Sequence, residues 1–243
     1  GPPLEILINS LEKLRDRRAA ADRNDIPSRH HDIKNLKKKL KDKKSSSNTL
    51  KDDFILTEAN YLLSHSVGRP LKETEKFFND QFFMAWSNSL NEPWNDWLQS
   101  IEDFTSELSK LFNAKSTEFC PQVNLSSGLS KIILSLPDTQ KSTKTVLMSE
   151  VDFPGMGFTL RKSLSESSEV RFIPSNEDVT DLEVWKKYLT NDIDIVFISH
   201  AYSNTGQISP ISDVINHSKL KNIISILDIA QSAGIVPIDL SIL

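Results

Sequence analysis

This sequence predicts an α/β fold: a mostly parallel sheet with helices on both faces, preceded by a basic helical extension. Three observations lead there. From Cys120 onward, short apolar runs of strand length alternate with segments of helical spacing, the rhythm of the units that build a parallel sheet. The run over 223–227 ends abruptly in a carboxylate, Asp228, and a small-residue turn follows it. That pattern reads as an interior parallel strand delivering Asp228 to its C-terminal end, where open α/β sheets place their ligand sites. Finally, residues 1–52 differ in composition from everything after them.

In chain order, Leu4, Ile6, Leu7, Leu11 and Leu14 recur at helical spacing, which predicts a short amphipathic helix. Arginines and lysines follow, up to Lys43 and Lys44, and Ser45-Ser46-Ser47-Asn48 closes the segment as a linker. No aromatics interleave with the charges, so a solvated helix and linker is favoured over a nucleic-acid arm. Two domains are expected, 1–52 and 53–243. Over 70–113 an aromatic-rich pattern predicts two helices, broken at Asn91-Glu92-Pro93 and serving as core or subunit interface. Thereafter helices are expected over 128–136, 156–165, 182–189 and 211–217, and strands over 145–148, 170–173, 193–199 and 223–228.

Bulk properties narrow the function. The net charge of −4 gives no global signal for nucleic acid. No apolar run is long enough to span a bilayer, and no signal peptide is visible; a cytoplasmic protein is expected. One cysteine, Cys120, allows no internal disulfide, and five histidines show no metal-ligand spacing, so no metal site is expected.

Four motifs sit where ligand sites form. Asn124-Leu125-Ser126-Ser127-Gly128-Leu129-Ser130 opens a helix, and free N–H groups at a helix start cradle phosphate. Asp152-Phe153-Pro154-Gly155 puts an aromatic after a strand, where its ring can stack on a flat ligand. Ser199 to Gln207 gathers His200, Tyr202, Asn204 and Thr205 after a buried strand, a rim of hydrogen-bonding groups. The fourth is Asp228 with Gln231. Each has a plainer alternative; Asp228, for one, is also a good N-cap for a following helix.

Taken in order and with their spacing, these motifs resemble the class V, fold-type I pyridoxal-phosphate enzymes, above all kynureninase and its relatives. The resemblance begins at Tyr61-Leu62-Leu63-Ser64-His65-Ser66-Val67-Gly68-Arg69-Pro70, runs through the tryptophan-rich stretch from Trp86 to Trp97, and continues to the C-terminus. It implies a pyridoxal 5′-phosphate cofactor whose phosphate is held by Gly128, Leu129 and Ser130. Phe153 would stack on the ring, and Asp228 would pair with its protonated nitrogen. Gln231 stands where kynureninases usually carry His, and Met156 where they usually carry Asp, which weakens kynurenine hydrolysis specifically. The implied activity is class V aminotransferase or kynureninase-like chemistry of amino-acid metabolism, with an external aldimine formed on an amino-acid substrate. A homodimer is implied, or a complementing chain. The family's Schiff-base lysine lies downstream of the Asp, and no lysine follows Lys221 here. The large domain is therefore expected to be incomplete, from a fragment, a split subunit or a degenerate homologue. The alternative reading is a non-catalytic interaction module working through its basic extension.

Overall fold

The structure, a computed structural model, describes residues 50–88, 92–137 and 142–243. The extension expected over 1–52 lies almost wholly outside the described residues, as does Asn91 of the expected helix break. Two compact units divide the chain between Cys120 and Pro121.

In the first unit, an isolated antiparallel bridge joins Phe54 to Leu71. Helix α1 (Thr74–Phe78) runs through a π-helical segment, Asn79–Phe83, into α2 (Met84–Asn88), and α3 spans Trp94–Phe112. Pro93 precedes α3, where a missing N–H is harmless. Asn113 ends it in the left-handed region, φ 52°, with its N–H returned to Ser109 O. Apart from Phe112, buried at the end of α3, the aromatic residues of these helices do not form a buried core. Phe78, Phe82, Phe83, Trp86 and Trp94 are exposed. Phe78, Phe82 and Trp97 stack in series, with ring centroids 5.3 Å apart for Phe78–Phe82 and 4.9 Å for Phe82–Trp97.

The second unit holds the sheet. Its elements are α4 (Leu125–Ser135), β1 (Thr145–Ser149), α5 (Pro154–Ser163), β2 (Glu169–Ile173), α6 (Leu182–Tyr188), β3 (Ile195–Ser199), α7 (Ile211–Leu220) and β4 (Ile224–Asp228). All pairings are parallel, in the order β2-β1-β3-β4. Side chains alternate across the strands with period two. Val146, Met148, Ile195, Phe197 and Ile226 pack with Leu129 and Ile133 of α4 and Met156 and Leu160 of α5. Leu147, Val196 and Ile198 pack on the other face with Trp185 of α6 and Ile211, Val214 and Ile215 of α7. Trp185 is fully buried, and its indole N–H donates to Val179 O at 2.9 Å. Each such apolar side chain contributes roughly 1.5–3 kcal/mol by leaving water. The doubly covered parallel sheet is the architecture the alternating pattern predicts.

The connections set the site. From β1 the chain turns through α5 to β2 on one side; from β2 it crosses through α6 to β3 on the other side of β1. Neighbouring strands β1 and β3 are thus left in opposite directions, and their C-terminal ends flank the switch point at which open sheets form ligand crevices.

One expectation needs correction. β4 is not interior: among the described residues it pairs only with β3 and forms a sheet edge. Ile224 at its start is exposed, while Ile226 and Asp228 are buried from the faces. Its aliphatic run therefore reflects burial between layers of side chains, not strands on both sides. Among the described residues no helix is long and apolar enough to cross a membrane, and no cluster of His, Cys, Asp and Glu could hold a metal ion.

Candidate ligand site

Three strand ends converge. β1 ends at Ser149, β3 at Ser199 and β4 at Asp228, with Ser199 and Asp228 in register. Beyond β3 the His200 N–H donates to Asp228 O at 2.8 Å, which ties the two ends together. Beside them lies a cleft of about 360 Å³. Gln122, Asn124 and Leu125 line it at the start of α4, with Gly128, Leu129 and Ile132 along that helix. Met156, Phe197, Ile226, Leu227 and Asp228 complete it. The walls are mostly apolar, and the carboxylate stands at one end.

Asp228 is buried, and its Oδ1 accepts the Ala230 N–H at 2.8 Å. That bond closes an Asx turn; beyond β4 the chain forms a series of turns, not a helix. Burial raises the Asp228 carboxyl above its ordinary range, and the Ala230 bond offsets part of that. No cationic side chain stands against it among the described residues.

Helix α4 begins three residues earlier than the spacing predicts. Asn124 is its N-cap, with Oδ1 accepting the Ser127 N–H at 2.8 Å. The Gly128 N–H is spent inside the helix, on Asn124 O at 3.1 Å. Gly128 and Leu129 thus line the cleft from the second turn, and the N–H groups of Leu125 and Ser126 are the ones outside the helical ladder. The Ser130 hydroxyl pairs with the Ser163 hydroxyl of α5 at 2.8 Å.

The other predicted residues are dispersed around this centre. Phe153 is the N-cap of α5 and exposed; it does not line the cleft. Its ring lies close over Gly155, where a Cβ would come within 3.0 Å of Phe153 Cε1. His200 is buried with Nδ1 2.9 Å from Ser232 Oγ, and burial lowers its pKa. Tyr202 is buried and accepts from Ser209 Oγ at 3.2 Å. Burial, with Asp152 nearby, raises its pKa, so the phenol stays neutral. Asn204 and Thr205 are exposed on a tight turn in which the Gly206 N–H donates to Tyr202 O at 2.8 Å and Gly206 takes φ 72°. Gln231 is half-buried in the turn after β4.

Sequence reasoning did not single out Asp152. It is buried, its Oδ2 accepts the Ser149 N–H at 2.7 Å, and its Oδ1 is buried without a hydrogen-bond partner. Burial pushes its carboxyl up to about 6; hydrogen bonds from Ser199 and Ser149 oppose this, and the charge of Asp228 adds a smaller upward push. The available signal was an acid three residues past an apolar strand.

A model of the family described as aminotransferase class-V matches residues 66–243. Another, described as monodechloroaminopyrrolnitrin synthase PrnB, matches residues 1–40. Over 174 residues the chain is 25% identical to the uncharacterised aminotransferase YcbU of Bacillus subtilis, covering 72% of this chain and 45% of that protein. It is 28% identical over 173 residues to the cysteine desulfurase NifS of Azotobacter vinelandii, covering 69% and 40%. With the kynureninase of Pseudomonas fluorescens the identity is 26% over 212 residues, covering 82% and 49%. The chain thus spans about half the length, or less, of these curated relatives. The cystine C-S lyase C-DES, solved with its product cysteine persulfide, superposes with a TM-score of 0.62 at 19% identity, covering 72% of this chain and 48% of that one. A cysteine desulfurase from Thermococcus onnurineus gives 0.61 at 16% identity, covering 73% and 46%. At these identities the likeness to solved structures is one of fold.

Proposed function

Because the chain belongs to the class-V aminotransferase family, we propose that it forms the cofactor-binding side of a pyridoxal 5′-phosphate enzyme acting on an amino acid. Asp228 carries the reading: a buried carboxylate at the end of β4, lining the cleft, with no cation against it among the described residues. An uncompensated buried carboxylate is costly, and a protonated pyridine nitrogen is a fitting partner. The apolar walls at Leu129, Met156, Phe197 and Ile226 suit the flat ring that carries it. When bound, this cofactor supplies an electron sink for bond breaking at the substrate Cα.

In this reading the negative charge of Asp228 holds the ring nitrogen protonated. The N–H groups of Leu125 and Ser126, at the start of α4, orient the phosphate with the helix dipole behind them; Gly128 and Leu129 shape that end of the cleft, and Ser130 ties α4 to Ser163 of α5. Phe153, exposed and outside the lining of the cleft, forms no wall for the ring. Gln231, His200, Tyr202, Asn204 and Thr205 form the rim toward substrate or cofactor. No lysine stands among residues 222–243, so none of these residues takes the part of the lysine that the family resemblance calls for. The enzyme works in the cytoplasm as a homodimer or with a complementing chain.

Pyridoxine 5′-phosphate tests the reading without a lysine, because it has the ring and phosphate but no aldehyde. Calorimetry at neutral pH is expected to show saturable one-site binding. Asp228→Ala is expected to weaken it about ten- to a hundred-fold, the value of a charge-assisted hydrogen bond. No saturable binding, or equal binding by the variant, contradicts the proposal.

A further inference from the structure

The first unit carries an apolar face that the ligand site does not use. Trp94, Trp97, Leu98 and Ile101 recur along α3 at the spacing of a core-facing stripe, yet Trp94, Leu98 and Ile101 are exposed. Phe78 and Phe82 extend the same surface. Ring centroids lie 4.9 Å apart for Phe82–Trp97 and 5.4 Å for Trp94–Trp97. At its centre Trp97 leaves its indole N–H buried without an acceptor among the described residues. A contiguous apolar patch of this kind marks a surface that another element covers. Its border is acidic: from Lys72 to Asp103 there are seven carboxylates and two lysines. One of those lysines, Lys76, already pairs with Asp80.

We propose that this face is the docking surface of the chain's own amino-terminal segment. Leu4, Leu7, Leu11 and Leu14 then cover the stripe of α3, and Arg15, Arg17 and Arg18 meet the acidic border. Three observations favour this occupant. The four leucines fall on one face at helical spacing, the pattern of an amphipathic helix laid into an apolar groove. The charges are complementary, since residues 1–49 hold thirteen Lys and Arg against seven Asp and Glu, and opposite potentials fix partner and register. The connection also allows it. The chain enters this unit at Leu50, just before the Phe54–Leu71 bridge that leads into α1. The thirty-five residues from Arg15 to Thr49 reach up to about 120 Å when extended. Attachment to the same chain raises the effective concentration of the segment to about the millimolar range, which favours it over a second copy. This contact is independent of the cofactor reading.

Photocrosslinking of the full chain tests the docking. Benzoylphenylalanine is placed at Leu11 and, separately, at Leu4, and the illuminated protein is mapped by mass spectrometry at low concentration. Links within one molecule to residues 78–101 are expected from both positions. Asp96→Lys with Asp103→Lys is expected to lower their yield several-fold, and adding Arg15→Glu with Arg17→Glu to recover it. Tryptophan emission gives a second reading, since Trp94 and Trp97 stand in the face while Trp185 is fully buried. In the full chain, Leu7→Glu with Leu11→Glu is expected to shift emission to the red and to raise quenching by acrylamide about two-fold. Circular dichroism checks that the variants are folded; the crosslinks in the otherwise unmodified chain decide if they are not. Links only between molecules assign the face to a second copy and overturn the proposal. Links to residues 121–243, or no links, overturn it as well, as does unchanged quenching in the folded Glu variant.

Discussion

Asp152 is where a single residue exposes the physics of this site. Its carboxyl is raised from 3.8 to about 6 by burial, so the folded chain binds a proton there more tightly than the unfolded chain does. The stabilising effect of that proton is complete below the unfolded value and is lost as pH rises through about 6. Stability is therefore expected to fall between about pH 4 and 6 at this site, and to stay reduced above it. Asp152→Asn keeps an oxygen for the Ser149 N–H and removes the buried charge. It is expected to flatten that slope and raise stability at neutral pH by up to about 3 kcal/mol, the limit set by a carboxyl raised from 3.8 to about 6. Urea unfolding across this pH range measures it; a variant as pH-sensitive as the parent contradicts the assignment.

At the scale of elements, α4 is fixed by its first residue. Asn124 satisfies the Ser127 N–H and also lines the cleft. Asn124→Ala is expected to cost about 1 kcal/mol, read as a lower melting temperature, with weaker phosphate binding as the helix start frays. Unchanged stability with the start of the helix intact goes against the cap. The cap also explains what the sequence did and did not reveal. The strands were legible because aliphatic runs such as Ile195–Ser199, buried at every position, leave few other solutions. The start of α4 was placed late because Leu125, Ser126 and Ser127 carry no apolar stripe; the hydrogen bond of Asn124, not periodicity, sets the boundary. The edge position of β4 was illegible for a different reason: pairing is a non-local property, and Ile223 to Leu227 is equally apolar whether strands or helices cover it. Asp228 at a strand end was readable; the second carboxylate was not, since Asp152 acquires its burial only when the ends of β1 and β3 meet.

At the scale of the molecule, the sheet unit carries both of its cores within residues 121–243, one on each face. Expressed alone, this segment is expected to melt cooperatively and to bind pyridoxine 5′-phosphate as the full chain does, because every residue lining the cleft belongs to it. A broad, non-cooperative melt would show that the first unit is needed for the fold. The central claim, a cationic ring held against Asp228, is tested most directly by the nuclear magnetic resonance shift of pyridoxine 5′-phosphate isotope-labelled at its ring nitrogen. Bound to the protein above the pH at which the free ring loses its proton, the nitrogen is expected to give the protonated shift, and Asp228→Asn to give the unprotonated one. An unprotonated nitrogen in the unmodified complex, or a protonated one in both proteins, would contradict the account.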